Sequence, residues 1–444
     1  MKSSPVVNNG SWDAGQQLVT TLANAVVTFL LVTVVSVSDY GMFSYAVALS
    51  SLGTAVMSAG LSGLAVKKLV EDRAANAAII SSLLLARELF ALAGYVLVIL
   101  ISLSSNDFPT ILATALAAVS LFGRGLEAPD MWYLSKLRSR RTAVVRGAST
   151  LVLLAVRLTV LALVPNIWIF LGLFALEPLI VSLLIIIRYC REMDSPGLAY
   201  EGFKRAKNLL RESLPLMLSG LANQINLKAD IVALQALQGN VSVAIYSLAA
   251  RLSELTHFFP VIFMNSLLPG VLETRKVHGP KSRRYLNRLY RAYLRAFWLG
   301  VSISVCVAIA GWLLIPLMFG NQYAESVLIL TIHVCATPFV FMAAVYSKWI
   351  IAEGILWVSL VRHGAGAALN VVLCMILIPL FGGVGAALAT VVSYTAASYL
   401  SCFLGRSTRG QGILMSRAIF APWLYLWANL IHMLGHTKRH QGEP

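Results

Sequence analysis

The fold is decided by an uncharged stretch near the end of the sequence, residues 363–405, which reads HGAGAALNVVLCMILIPLFGGVGAALATVVSYTAASYLSCFLG. About 20 apolar residues in a helix are enough to cross a bilayer, so this stretch is long enough for two crossings. Backbone inside lipid must satisfy its own hydrogen bonds, which favours helices over irregular structure. We therefore predict two consecutive transmembrane helices here.

Uncharged stretches of the same kind recur along the chain and indicate an all-α integral membrane protein. Apolar residues occupy 58% of the 444 positions and charged residues only 12%, about half of the charged share that is usual in soluble proteins. Asp, Glu, Lys and Arg are absent from residues 14–38, 40–66, 296–324 and 326–347. We predict about twelve transmembrane helices, over residues 14–36, 42–66, 77–103, 109–132, 143–164, 167–187, 213–236, 242–271, 293–319, 326–347, 358–380 and 384–404.

The distribution of basic residues predicts the orientation of these helices. Lys and Arg cluster in four windows, at residues 67–73, 136–146, 188–211 and 275–295. Neither occurs in the turns on the opposite side, at 37–41, 104–109, 165–167, 238–241, 320–325 and 381–384. This asymmetry is the positive-inside pattern, which places the four windows and both ends of the twelve-helix set on the cytoplasmic side. Orientation therefore accounts for the net charge of +16, and we expect no nucleic-acid partner.

A weak internal repeat indicates that the helices form two pseudo-repeated halves. The segment LAN at 22–24, followed by YAVALSSL at 45–52, returns as LAN at 221–223, followed by YSLAARLS at 246–253. Paired halves are typical of transporters, with the binding site between them. We predict six-helix lobes over 1–190 and 213–405, a partly amphipathic cytoplasmic linker over 191–212 and a basic tail over 406–444. In the tail, residues 418–435 are expected to lie in the membrane interface or to cross as a thirteenth helix.

Ionisable side chains inside the predicted helices are candidates for function, because each costs about 2.5–3.5 kcal/mol at a helix centre. Arginine forks suit the two-point binding of phosphate oxygens, so we predict a water-filled, net cationic cavity. The candidate substrate ligands are Arg87, Arg124, Arg157, Lys228, Arg251 and Arg362. The candidates for binding a coupling proton or cation are Glu177, Asp230 and Glu254, since burial favours the protonated carboxyl.

A structural role is the alternative interpretation of these charges. Arg124 with Glu127, and Arg251 with Glu254, have the i,i+3 spacing that allows neutralisation on one helix face. Long basic side chains near a membrane edge can also extend to the headgroups. The sequence contains no nucleotide-binding Gly-Lys-Ser/Thr motif, no paired-His metal spacing and no recognisable catalytic set. We therefore predict no cofactor, no metal and no enzymatic activity.

Three segments carry a resemblance to a known family. They are SDYGMFS at 38–44, the block from LPLMLS at 214–219 through Asp230 and YSLAARL at 246–252 to Leu268-Pro269, and NVVLCMILIPLFGGVGAA at 370–387. These segments resemble the O-antigen (Wzx-type) polysaccharide-biosynthesis flippases of the multidrug/oligosaccharidyl-lipid/polysaccharide (MOP) exporter superfamily. The likeness extends over residues 12–405. It assigns no ligand residue, so the basic set above depends on the intramembrane charges alone.

The resemblance implies two six-helix lobes around a central cavity and transport by alternating access. The implied substrate is a polyprenyl-diphosphate-linked oligosaccharide, an O-antigen or exopolysaccharide repeat unit, moved to the periplasmic leaflet of the bacterial inner membrane. Other implied partners are membrane lipids, a polysaccharide polymerase and chain-length proteins. A cation-coupled drug antiporter of the same superfamily is the main competing function, and it fits a cationic cavity poorly. A membrane glycan polymerase would need a catalytic acid on a substantial external loop, and the external turns are short.

Overall fold

The computed structural model describes residues 5–58, 60–72, 76–103, 107–192, 202–355 and 357–421. Over these residues the chain consists of helices and short turns without a strand, which confirms the predicted all-α class. Residues 193–201 of the predicted linker lie outside the described residues. So does the part of the predicted 418–435 helix that follows residue 421.

The first half builds six crossings, two of which are broken into shorter helices. Its helices are α1 (Pro5–Val34), α2 (Val37–Ser58), α3 (Leu61–Glu71), α4 (Asn76–Ser102), α5 (Phe108–Ala118), α6 (Ser120–Gly125), α7 (Pro129–Ser135), α8 (Ser139–Leu163) and α9 (Ile167–Glu192). Helices α2 and α3 share one crossing, and α5, α6 and α7 share another. Pro129 begins α7, and a proline at this position cannot donate the hydrogen bond that would continue α6.

The second half repeats this arrangement with two further broken crossings. Its helices are α10 (Gly202–Gln238), α11 (Asn240–Glu254), α12 (Phe258–His278), α13 (Arg283–Phe319), α14 (Ala324–His333), α15 (Thr337–Glu353), α16 (Trp357–Ser398) and α17 (Arg409–Ile419). Single 3₁₀ turns join α11 to α12 and α14 to α15. The segment predicted as an amphipathic linker helix forms the first turns of the continuous helix α10.

Helix α16 contains the last two crossings, which are separated by a kink at Gly382. The φ of Gly382 is 59° and its ψ is −135°, a conformation that is readily accessible only to glycine. Nine stretches of the described residues are long and apolar enough to span a bilayer. The kinked stretch supplies two crossings, and α10 and the α11–α12 pair complete the predicted twelve.

The external ends of the two halves are packed against each other. Gly41 of α2 touches the start of α11, where a Cβ added to Gly41 would lie 2.6 Å from the carbonyl carbon of Asn240. The side-chain amide of Asn240 donates hydrogen bonds to Asp107 at 3.4 Å and to Thr110 at 3.3 Å. A continuous core cluster, which includes Leu49 of α2 and Tyr246 of α11, extends inward from this contact. The structure is therefore closed on the side that the sequence predicts to be external.

Candidate functional site: a cationic cavity between the halves

A cavity of about 240 Å³ lies on the side of the external contact that the basic windows predict to be cytoplasmic. Helices α1, α2, α6, α8 and α9 of the first half form most of its wall, and α11 of the second half contributes one arginine. The ionisable side chains of this wall are Arg124, Glu127, Arg146, Arg157, Glu177 and Arg251. Because four arginines face two glutamates, the wall is net positive and suits an anionic ligand.

Arg157 and Glu177 form an ion pair in the wall of the cavity. The Nη2 of Arg157 on α8 lies 2.6 Å from Oε2 of Glu177 on α9, and its Nη1 donates to Oδ1 of Asn24 on α1 at 3.3 Å. Three helices of the first half therefore orient one guanidinium. A guanidinium has five N–H donors, so Arg157 retains donors for a ligand.

Arg146 is a cavity residue missing from the predicted site, because the sequence counts it in the basic window 136–146 although it also lies at the start of the predicted helix 143–164. Helix α8 begins at Ser139, which places Arg146 two turns into the helix. Its guanidinium lies 2.9 Å from Glu127 and 3.0 Å from Asp130. Within the described ranges, Glu127 is thus paired with Arg146 and not with Arg124, its i,i+3 neighbour.

Arg124 and Arg251 are the two cavity arginines for which the described residues offer no carboxylate within 4 Å. They come from opposite halves. The Nη1 of Arg251 makes a long contact of 3.5 Å with the hydroxyl of Thr28 on α1. Arg251 also lines a smaller opening between α1 and α11, with a volume of about 210 Å³. These two side chains are the wall's most available cations.

Lys228 and Glu254 form a second interhelical ion pair beside Arg251. The Nζ of Lys228 on α10 is 2.7 Å from Oε1 of Glu254 on α11. Both residues line a small cavity with Arg251, in which α2 supplies the facing wall. Glu254 therefore pairs with Lys228 of a neighbouring helix and not with Arg251, its i,i+3 neighbour. The Lys228–Glu254 pair lies beside the main cavity.

Asp230 on α10 is buried among neutral hydrogen-bonding groups. Its side chain is 2% exposed and accepts a hydrogen bond from the Tyr246 hydroxyl, one from the Ile231 amide at 2.8 Å and one from Thr390 at 3.4 Å. No cation lies within 4 Å of its carboxylate in the part of the chain that the structure describes. The sequence places Tyr246 in a repeated segment but does not connect Tyr246 or Thr390 with Asp230, because they belong to other helices, α11 and α16.

Arg87 and Arg362 lie outside the cavity. Arg87 of α4 is 5% exposed, and its Nη2 donates to the backbone carbonyl of Arg124 at 2.8 Å, where α6 approaches its end. Arg362 of α16 is 4% exposed, donates to the Ser347 hydroxyl at 2.6 Å and stacks 5.3 Å from the Tyr346 ring on α15. Of the six basic candidates, the structure thus brings Arg124, Arg157 and Arg251 together in the main cavity.

The fold and the cavity define a multi-pass membrane protein built from two six-helix lobes. The chain belongs to the polysaccharide biosynthesis protein family, whose model matches residues 6–273. No curated protein sequence matches the chain significantly. The resemblance predicted from the sequence is therefore confirmed for the family.

Solved structures of other membrane proteins have the same fold. The chain is similar to the lipid II flippase MurJ in an inward closed conformation, with a TM-score of 0.72, 14% identity, and coverage of 95% of this chain and 92% of MurJ. It is also similar to a multidrug resistance MATE family transporter in its inward-facing form, with a TM-score of 0.62, 17% identity and coverage of 89% and 96%. An outward-facing MATE form matches with a TM-score of 0.59, 15% identity and coverage of 92% and 95%. These likenesses show that the chain shares the fold of those proteins.

Proposed function

We propose that this protein moves a polyprenyl-diphosphate-linked oligosaccharide from the cytoplasmic to the periplasmic leaflet of a bacterial inner membrane. The observation that carries the proposal is the net positive cavity, in which Arg124 and Arg251 of opposite halves have no carboxylate partner among the described residues. Guanidinium groups bind phosphoryl oxygens through paired hydrogen bonds. Membership of a polysaccharide biosynthesis family supports a glycan substrate.

The geometry suggests how such a lipid would be held. Its diphosphate would contact Arg124, Arg157 and Arg251, and its sugars would occupy the remaining space of the cavity. The smaller opening between α1 and α11 is lined partly by Ala25, Phe29 and Leu255, so a polyprenyl tail could stay in the bilayer while the headgroup is enclosed. Enclosure is needed because a charged, sugar-bearing headgroup cannot cross hydrocarbon unaided.

Transport requires that the external contact between the halves opens while the cytoplasmic side closes. We assign Asp230 to the coupling of this change to a proton or cation, because Glu177 and Glu254 already have cationic partners. An ion bound at Asp230 would remove an isolated charge from a buried site that joins α10, α11 and α16. Consumption of the translocated product by a polymerase and chain-length proteins would also favour net movement toward the periplasmic leaflet.

Cation-coupled drug antiport is the competing function. A net positive wall repels cationic drugs, so the cavity favours the lipid-linked anion. The same wall serves O-antigen and exopolysaccharide repeat units equally, because both present a diphosphate.

The test is a measurement of sidedness in proteoliposomes that contain the purified protein and a polyprenyl-diphosphate oligosaccharide. A lectin added outside reports the exposed glycan over time. We expect Arg124→Gln and Arg251→Gln each to slow translocation about tenfold or more, since loss of a charge-assisted hydrogen bond costs about 1.5–3 kcal/mol. Arg406→Gln, which removes an exposed charge outside the cavity, should leave the rate unchanged. Wild-type rates equal to those of protein-free vesicles, together with exchange of a cationic drug, would favour the antiporter.

A further inference from the structure

A second basic surface lies outside the cavity, in a groove between the cytoplasmic ends of α12 and α13. The groove has a volume of about 510 Å³. Thr274 and His278 of α12 form one side, and the described lining includes no acidic side chain. The other side is formed by the arginines Arg284, Arg288, Arg291 and Arg295 of α13.

The four arginines form one stripe along α13. Their spacing of four, three and four residues places them on a single helix face over about 16 Å. The opposite face is anchored, because Tyr285, Leu289 and Tyr293 are buried in the core of the second half. Helix α13 has 37 residues and is about 55 Å long, which exceeds the roughly 30 Å of a hydrocarbon core. Its first turns therefore carry the stripe out of the bilayer on the cytoplasmic side.

The hydrogen-bond partners observed in this stripe are a histidine ring and a hydroxyl, and neither is a carboxylate. The Nη1 of Arg284 is 2.8 Å from Nε2 of His278, and the Nη1 of Arg288 donates to the hydroxyl of Thr274 at 2.9 Å. By contrast, Arg275 of α12 forms a two-point pair with Glu353, with both N–O distances at 2.9 Å. Among the described residues, the stripe is thus a concentration of positive charge without carboxylate neutralisation.

Membrane orientation accounts for the presence of basic residues at these ends of α12 and α13. It does not account for the way in which they are arranged. The positive-inside rule counts Lys and Arg alike and sets no direction for their side chains. Here all four groove cations are arginines, and they line one concave surface. Arginine presents a planar fork that binds phosphoryl oxygens at two points, which lysine cannot do. The arrangement therefore indicates a site for a phosphorylated ligand.

We infer that the groove binds the diphosphate headgroup of a polyprenyl lipid at the cytoplasmic leaflet and holds it before it enters the cavity. The identity of this lipid rests on the proposed function. The polar zone of a bilayer is roughly 5–8 Å deep on each side, so a phospholipid phosphate reaches only the end of the stripe near Arg295. The second phosphate of a diphosphate lies farther from the bilayer than the single phosphate of a phospholipid, which brings phosphoryl oxygens toward Arg291 and Arg288.

The experiment uses the full-length protein in nanodiscs of neutral phosphatidylcholine. Three ligands are compared: a polyprenyl diphosphate, phosphatidylglycerol and inorganic pyrophosphate. The groove variant is Arg288→Gln with Arg291→Gln, and the matched control, Lys276→Gln with Arg283→Gln, removes two exposed charges from the same helices outside the groove. We expect the groove variant to bind the polyprenyl diphosphate about tenfold or more weakly and the control to bind it within about twofold of wild type.

Three results would overturn the inference. Equal losses in both variants would show that surface charge in general attracts the lipid. An equal groove-dependent loss for phosphatidylglycerol would assign the groove to ordinary anionic lipids. Inorganic pyrophosphate that binds as tightly as the lipid would assign it to a soluble anion. Melting temperatures of both variants check that each is folded.

The transport assay separates this inference from the proposed function. Groove-dependent binding in a wild-type protein that fails to translocate the lipid-linked oligosaccharide would contradict the proposed function and leave the groove site supported. Translocation by the wild type, combined with equal binding by groove and control variants, would contradict the groove site and leave the function supported.

Discussion

Replacing Gly41 with alanine should drive the protein toward a state that is open on the external side. In the present structure, a Cβ at Gly41 would lie 2.6 Å from the carbonyl carbon of Asn240 and closer still to its oxygen. Ordinary contacts of a Cβ begin at about 3.4 Å. The obstacle is backbone at the start of α11, so a side-chain rotation cannot relieve the clash. The two halves must instead separate by about an ångström at this point.

The size of the effect follows from the cost of overpacking. Inserting a methyl group into a well-packed contact typically costs about 1–3 kcal/mol. This cost falls on the externally closed state alone, because the contact does not exist once the external ends have parted. A bias of that size shifts a two-state equilibrium by about 5- to 150-fold. The proposed cytoplasmic loading of the substrate should slow accordingly.

Pulsed electron resonance between spin labels on the two external surfaces measures this shift. Labels at Val164 of the first half and Asn321 of the second half are both exposed, and they are placed in a background without native cysteines. Gly41→Ala should move the distance distribution to longer values. Gly172→Ala is the matched control, because its added Cβ meets nothing within 4 Å. A distribution for Gly41→Ala that coincides with those of wild type and control would refute the reasoning.

Three further predictions concern buried charges. Arg157→Leu leaves the carboxylate of Glu177 without its partner, so we expect the unfolding free energy to fall by about 3–5 kcal/mol. Adding Glu177→Leu should recover much of this loss. Melting curves of the detergent-solubilised variants that show additive losses would contradict this expectation. Asp230→Asn should abolish the response of transport to an imposed proton or sodium gradient while substrate binding persists, and a retained response in proteoliposomes would exclude Asp230 as the coupling site. Arg87→Gln should weaken substrate binding about tenfold through the displaced Arg124 carbonyl, and an affinity equal to wild type would show that Arg87 does not position Arg124.

The crossings could be predicted from the sequence because the bilayer imposes a simple constraint on local composition. The uncharged residues 363–405 form the two crossings that α16 contains, and the expected turn at 381–384 includes the kink at Gly382. Breaks inside crossings were harder to locate. Helix α5 ends at Ala118 without a proline or a polar run in the next few residues, so its end depends on packing that the local sequence does not encode.

The site could be predicted only in part, because burial of a charge does not determine the direction in which it points. Arg87 and Arg124 are both in crossings, yet Arg124 lines the cavity and Arg87 lies behind it. The rotation of each helix about its axis follows from contacts with distant segments. The i,i+3 ion pairs that the spacing allows, Arg124 with Glu127 and Arg251 with Glu254, are not formed for a similar reason. An i,i+3 pair contributes about 0.2–0.5 kcal/mol, and interhelical partners such as Arg146 for Glu127 take precedence in a polar interior.

The kink in α16 also bears on how the chain assembles during synthesis. The side-chain amide of Gln238 at the end of α10 donates a hydrogen bond to the carbonyl of Ile378 at 3.4 Å, one turn before the kink at Gly382. Helix α10 leaves the ribosome before α16 does, so the amide is already in the membrane when the last hairpin enters. The hairpin carries no ionised group across the bilayer at its tip, because residues 381–384 are uncharged. The final pair of crossings can therefore insert as one unit and then pack against the side-chain amide of Gln238.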